Sequence, residues 1–132
     1  MHTMKKLLAR AALPFIALSL LTAPTFAQSL TGPQKNAVRS AKQYLSMQGF
    51  SRAGLIRQLS SDAGDGYQVA DATVAVDSLN VDWNKQAERS AKQYLDMMGF
   101  SCKGLIQQLS SSAGDRYTKE QATHGARAAG AC

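Results

Sequence analysis

Histidine, cysteine, tryptophan and aromatic residues in general are scarce in this 132-residue chain: two His, two Cys, one Trp and 7% aromatics. Each shortage closes a class of function. His2 falls in a segment read below as removed, so His124 alone could serve as an imidazole base, and no nucleophile motif accompanies it as a hydrolase triad would require. Two cysteines and one histidine do not make up a structural zinc set, and no metal or other cofactor is expected. No Gly-rich loop leads from a strand into a helix, so no phosphate cradle is indicated. Charge is equally unspecific. The formal net charge is +6, and without Lys5, Lys6 and Arg10 the rest has 12 basic against 9 acidic residues, a net of +3, with no basic run. A nucleic-acid reader would carry a stronger, clustered positive surface. These absences point away from an enzyme and towards a binding protein.

What is present is a repeat. Ser40–Tyr67 laid over Ser90–Tyr117 gives 21 identities in 28 positions without a gap. The protein is two copies of one unit, and fold and function follow at the level of that unit. A unit of about 50 residues is marginal by itself, so the copies are expected to pack on each other or to be stapled.

Residues 1–27 read as a secretory signal peptide. Lys5, Lys6 and Arg10 form its positive region, Ala11–Leu21 its apolar stretch, and Thr25 and Ala27 the small residues before a cleavage between Ala27 and Gln28. The apolar stretch falls short of the roughly 20 residues that span a bilayer. The first cysteine is Cys102, so no lipid-attachment cysteine is expected behind it. The mature protein should be exported, periplasmic or secreted, with no stable membrane anchor.

The expected fold is all-α: two tandem three-helix, helix-turn-helix-like repeats over residues 33–80 and 81–132. Pro33 suits the first turn of a helix, whose inner face carries Ala37, Ala41, Tyr44, Leu45 and Gln48, with Met47 at its border. Gly49 is read as the left-handed stop and Ser51 as the next N-cap. Phe50 and Leu55 have the spacing of a hydrophobic staple, as do Phe100 and Leu105 after the stop at Gly99 and the cap at Ser101. Ser60–Gly66 is a loop by composition. Tyr67 follows as a plug, and Val69, Ala72, Val76 and Leu79 stripe a third helix. Residues 80–83 form the joint, with Asp82 placed to cap the next helix. Copy two repeats the inner face as Ala87, Ala91, Tyr94, Leu95 and Met98. Its third helix opens on a Thr118–Gln121 capping box, but offers only Ala122, Ala126 and Ala129 to the core. A disulfide between Cys102 and Cys132 would compensate; exported cysteines usually pair, and a loop of that length is worth roughly 3–4 kcal/mol.

The aromatic residues and the paired methionines (Met47 and Met97) read as core. Asp65 and Asp115 read as turn formers or caps beside glycine. Trp83 either seals the joint or presents an interaction surface. Lys42, Gln43, Gln58, Ser60 and Ser61 return unchanged at Lys92, Gln93, Gln108, Ser110 and Ser111. Duplication alone explains this, and so does a doubled binding surface; Lys42, Gln43, Lys92, Gln93 and Trp83 are the candidates.

The pattern from Ala41 to Leu59, the joint Val81–Asn84 and the run from Tyr117 to Ala122 together resemble the repeat of the Ltp family, host-cell-surface lipoproteins with tandem helix-turn-helix-like units. The resemblance covers roughly residues 33–130. It implies a phage-related role: superinfection exclusion, in which DNA injection by a second phage is blocked through contact with the phage tape-measure protein outside the cytoplasm. It implies a protein partner and no small-molecule substrate. Members of that type carry a lipid-attachment cysteine, which is where this chain departs from them. The tight turns at Gly49–Ser51 and Gly99–Ser101 leave a helix-turn-helix DNA-binding protein, or an exported envelope module with another partner, as alternatives.

Overall fold

In the computed structural model the described residues are 29–132 together with 12 and 14; the expected signal peptide and its Ala27–Gln28 cleavage site lie outside them. Among the described residues there are six helices and no strand: α1 (Gly32–Met47), α2 (Arg52–Ser60), α3 (Val69–Ser78), α4 (Trp83–Met97), α5 (Cys102–Ser110) and α6 (Lys119–Ala128). None is long and apolar enough to cross a membrane.

Five of the six helices begin where a side chain can take up a free backbone N–H. Thr31 and Gln34 form a capping box on α1, so this helix starts at Gly32, one residue before Pro33. Ser51 and Ser101 each accept from the N–H three residues on, at 2.9 Å. Asp82 caps α4 through the Lys85 N–H, and Thr118 with Gln121 caps α6. Gln68 offers α3 no side-chain cap, so the third helix does open better in the second copy.

Each repeat has its own core. Ala41, Leu55, Leu59, Ala72 and Val76 fill the first, with Phe50, Tyr67, Leu79 and Trp83 packed around them. Ala87, Ala91, Leu105, Leu109, Tyr117, Ala122 and Ala126 fill the second, with Phe100 against them. Phe50 and Phe100 also meet Tyr44 and Tyr94 edge to face, ring centres 5.8 and 5.5 Å apart. The small, alanine-only stripe of α6 is answered by approach: a Cβ at Gly125 would lie 2.6 Å from the Ala87 carbonyl oxygen, whereas repeat one holds Ala75 at that place.

The ends of the second and third helices are tied in both copies, by different chemistry. In repeat one the Arg52 guanidinium donates twice to the Asp77 carboxylate, at 2.7 and 2.9 Å. In repeat two Cys102 stands at the Arg52 place and is bonded to Cys132, with Cα atoms 4.7 Å apart.

Four expectations need correction. Gly49 and Gly99 do not take a left-handed conformation; α1 and α4 end on extended Gln48 and Met98, and the left-handed residues are Gly66 with its counterpart Arg116, and Asn80 with Gly130. The chain runs straight from an extended C-cap into the next N-cap, so the three-residue turn requires no reversal. Met47 and Met97 are not core but 62% and 71% exposed, lying in the last turn of each long helix and to the side of the face that Ala37, Ala41, Ala87 and Ala91 bury. Gln48 and Met98, as those C-caps, are exposed and leave the inner face. Val69 opens α3 at 63% exposure, one turn before the stripe meets its partners.

Candidate interaction site at the joint between repeats

The site is assembled from polar residues that appear in both copies, and most of them hold the unit itself together. The Tyr44 hydroxyl donates to Asp65 at 2.7 Å and takes the Gln58 amide at 3.3 Å. Tyr94 repeats this with Asp115 and Gln108, at 2.9 and 3.2 Å. Asp65 and Asp115 are therefore acceptors that lock the loop to the first helix of their unit, a role beyond turn formation. Ser40 bonds Tyr67 at 3.1 Å and Ser90 bonds Tyr117 at 2.7 Å. Tyr117 is buried, which pushes its phenol pKa well up. Burial also raises the Asp115 carboxyl, the Tyr94 bond working against it, and raises the Tyr94 phenol; the Tyr44 phenol is raised chiefly by its bond to Asp65.

The second use of these residues is the joint. The α1–α2 turn of repeat one sits on α4. The Gly49 N–H donates to Gln93 Oε1 at 3.2 Å and the Phe50 N–H to Gln86 Oε1 at 3.3 Å. Arg89 donates to the Leu45 carbonyl at 2.7 Å, closing the end of α1. The Ser51 hydroxyl donates to the Asp115 carbonyl, and only 1% of Ser51 is exposed. Gly49 is there for close approach: a methyl group would collide with Ser90 Oγ and lie 2.7 Å from the Gln86 carbonyl oxygen.

Clefts open on both sides of this contact. One, of about 440 Å³, has a floor containing Ser90, Gln93, Tyr94 and Asp115, and Met47 and Met97 at its rim. The other, of about 350 Å³, lies between Phe50, Arg57 and the loop residues Ala63 and Ala113. Exposed thioethers over a polar floor suit an apolar partner segment: methionine is flexible and polarisable enough to repack around varied side chains.

The structure scatters the candidate residues named from sequence. Lys42, Gln43 and Lys92 are exposed on the long helices. Gln93 belongs to the joint, and its copy Gln43 has no equivalent turn docked on it among the described residues. Trp83, half-buried, packs on the core of repeat one and so sits at the joint. The residues missed were Gln86, Arg89, Met47 and Met97. A Met-Met pair at positions 97 and 98, at the very end of a helix, was the one local hint that these side chains face water. Among the described residues no three His, Cys, Asp or Glu side chains cluster as metal ligands. The N-terminus of α2, which a helix-turn-helix reader turns towards base edges, is covered in repeat one by the second repeat.

Two stacked three-helix repeats joined through a polar turn-on-helix contact, with an apolar-rimmed cleft beside it, define a small all-α interaction module. Comparison with known proteins places it further. The family described as host cell surface-exposed lipoprotein matches this chain twice in tandem, over residues 33–79 and 82–126, and the chain belongs to that family. Among solved structures it is similar to that of Ltp, a superinfection exclusion protein from the Streptococcus thermophilus temperate phage TP-J34. Identity is 34%, the match covers 75% of this chain and 97% of that one, and the TM-score is 0.66. No significant match is found among curated proteins.

Proposed function

We propose that this protein is an exported superinfection exclusion factor that stops phage DNA entry by binding a phage protein, with the tape-measure protein as the target. It acts by occupancy and without catalysis, in the periplasm or after secretion, once cleavage behind Ala27 has released it. The observation that carries this reading is the 34% identical match that spans 97% of a superinfection exclusion protein. The joint cleft supports it with a surface suited to a protein: soft apolar rims at Met47 and Met97 over hydrogen-bonding groups. An injection apparatus crossing the cell envelope would meet an exported protein there.

The test is phage challenge of cells expressing the protein with and without residues 1–27, with adsorption and DNA entry scored separately. Normal adsorption with entry blocked only by the exported form is the expected result. Protection that persists without export would place the target inside the cell and overturn the reading. The double variant Met47→Glu/Met97→Glu should fold normally, since both side chains are largely exposed, and lose protection. Full protection by that variant would move the docking surface away from the cleft.

A further inference from the structure

The contact between the two repeats joins unlike surfaces. A turn, Gly49–Phe50–Ser51, is the knob; Gln86, Arg89, Ser90 and Gln93 on α4, with the Asp115 carbonyl, are the socket. Because the units are copies, the molecule carries each half a second time at its outer ends. The spare knob is Gly99–Phe100–Ser101, identical in sequence to the one in use. The spare socket is Arg39, Ser40 and Gln43 on α1 with Asp65 beside them, identical at all four positions, and Asn36 for Gln86 is the one substitution. Burial follows occupancy. Ser51 is buried and Ser101 exposed; Arg89 and Asp115 are half-buried, while Arg39 and Asp65 are exposed. A Cβ at Gly99 would meet nothing within 4 Å, where one at Gly49 would strike α4.

We infer that copies of this chain associate head to tail, the Gly99–Ser101 turn of one seating on the α1 face of the next. The inference is independent of the exclusion role. Every bond of the inner joint except the one made by Gln86 has its donor and acceptor types preserved: Arg39 for the Leu95 carbonyl, Gln43 for the Gly99 N–H, and the Asp65 carbonyl for Ser101. A contact between unlike faces leaves one knob and one socket free after each addition. It therefore extends beyond two chains, into a row as stacked repeats do within one chain or into a ring where the rotation closes. The inner joint is helped by its tether, which supplies an effective concentration of millimolar order. Separate chains lack that help and should associate only at comparable concentration.

The experiment is sedimentation velocity with light-scattering mass on the purified, disulfide-bonded protein, from about 10 μM to about 1 mM, the upper limit being set by that effective concentration. The weight-average mass should rise with concentration and pass that of a dimer. Gly99→Ala should keep the wild-type melting temperature and stay at single-chain mass throughout, because its methyl group would meet the Ser40 region of the next copy. Arg39→Ala should reduce association from the socket side. Asn36→Gln, which completes the socket, should bring association to several-fold lower concentration. Single-chain mass for wild type and Asn36→Gln throughout overturns the inference. So does a plateau at dimer mass, or association by Gly99→Ala equal to wild type.

Discussion

Removal of the Cys102–Cys132 bond should loosen repeat two and leave repeat one largely intact. The bond closes a sequence separation of 30 residues, for which the chain-entropy relation gives about 3.5 kcal/mol at 25 °C. For a folded part of about a hundred residues that corresponds to a fall of roughly 15–20 °C in melting temperature. Nothing in repeat two can replace the bond. The place of Asp77 is held by Arg127, so even an arginine restored at position 102 would face a like charge. The assay is the Cys102→Ser/Cys132→Ser double variant, followed by calorimetry and by amide exchange resolved along the chain. Protection should fall most along α5 and α6 and least along α2 and α3, whose ends are held by the Arg52–Asp77 pair. An unchanged melting temperature, or equal loss of protection in both repeats, would refute the reasoning. Against that double variant, the triple variant Cys102→Arg/Arg127→Asp/Cys132→Ser should recover only about 0.2–1 kcal/mol, since an ion pair as exposed as Arg52–Asp77 is screened by water.

The Arg52 bond holds the Asp77 carboxyl below its ordinary value in the folded state. Its contribution is therefore complete above the unfolded value near pH 3.9 and lost as pH falls through the lower folded one. Asp77→Asn should cost about 0.5 kcal/mol at pH 7 and nothing by pH 2, checked by urea melts at both; a difference independent of pH would refute the assignment. Tyr117→Phe leaves the buried Ser90 hydroxyl without its partner and should cost about 1–2 kcal/mol. Tyr67→Phe, beside a half-buried Ser40, should cost less, and a reversed order of denaturation midpoints would refute the distinction. Gly125→Ala improves helix propensity by about 1 kcal/mol yet should destabilise, because its methyl group would overlap the Ala87 backbone; a raised melting temperature would refute the close approach.

The helices and most of their caps were legible in the sequence because each depends on residues within one turn of one another: Ser51 and Gly54, Asp82 and Lys85, Thr118 and Gln121. The Cys102–Cys132 bond was legible for a different reason, the small number of cysteines in a chain expected from its sequence to be exported. The candidate site was not legible, because its contacts join residues 36 to 64 positions apart, such as Phe50 with Gln86 and Ser51 with Asp115. No local pattern encodes such a meeting. Gly49 illustrates the difficulty: a glycine after a helix has the same sequence signature whether it reverses the chain or admits another helix, and here it does the second. Met47 and Met97 fall at the border of the core stripe, a position from which the spacing alone does not decide between core and water.

Identity between the copies separates into two physical causes. Ser40, Gln58 and Asp65 match Ser90, Gln108 and Asp115 because each set fastens its own loop to its own first helix, a requirement each unit meets alone. Gln43 and Gln93, or Gly49 and Gly99, have no such shared requirement, since only one member of each pair takes part in the joint. Their identity is accounted for by duplication alone unless the outer surfaces are also used. Where the copies diverge, the changes are coupled. Arg52, Asp77 and Asp82 become Cys102, Arg127 and Cys132, and the three positions replace an ion pair with a covalent bond between the same helix ends. Any one of these changes alone leaves an unpaired charge or a free thiol, so the three are consistent only together.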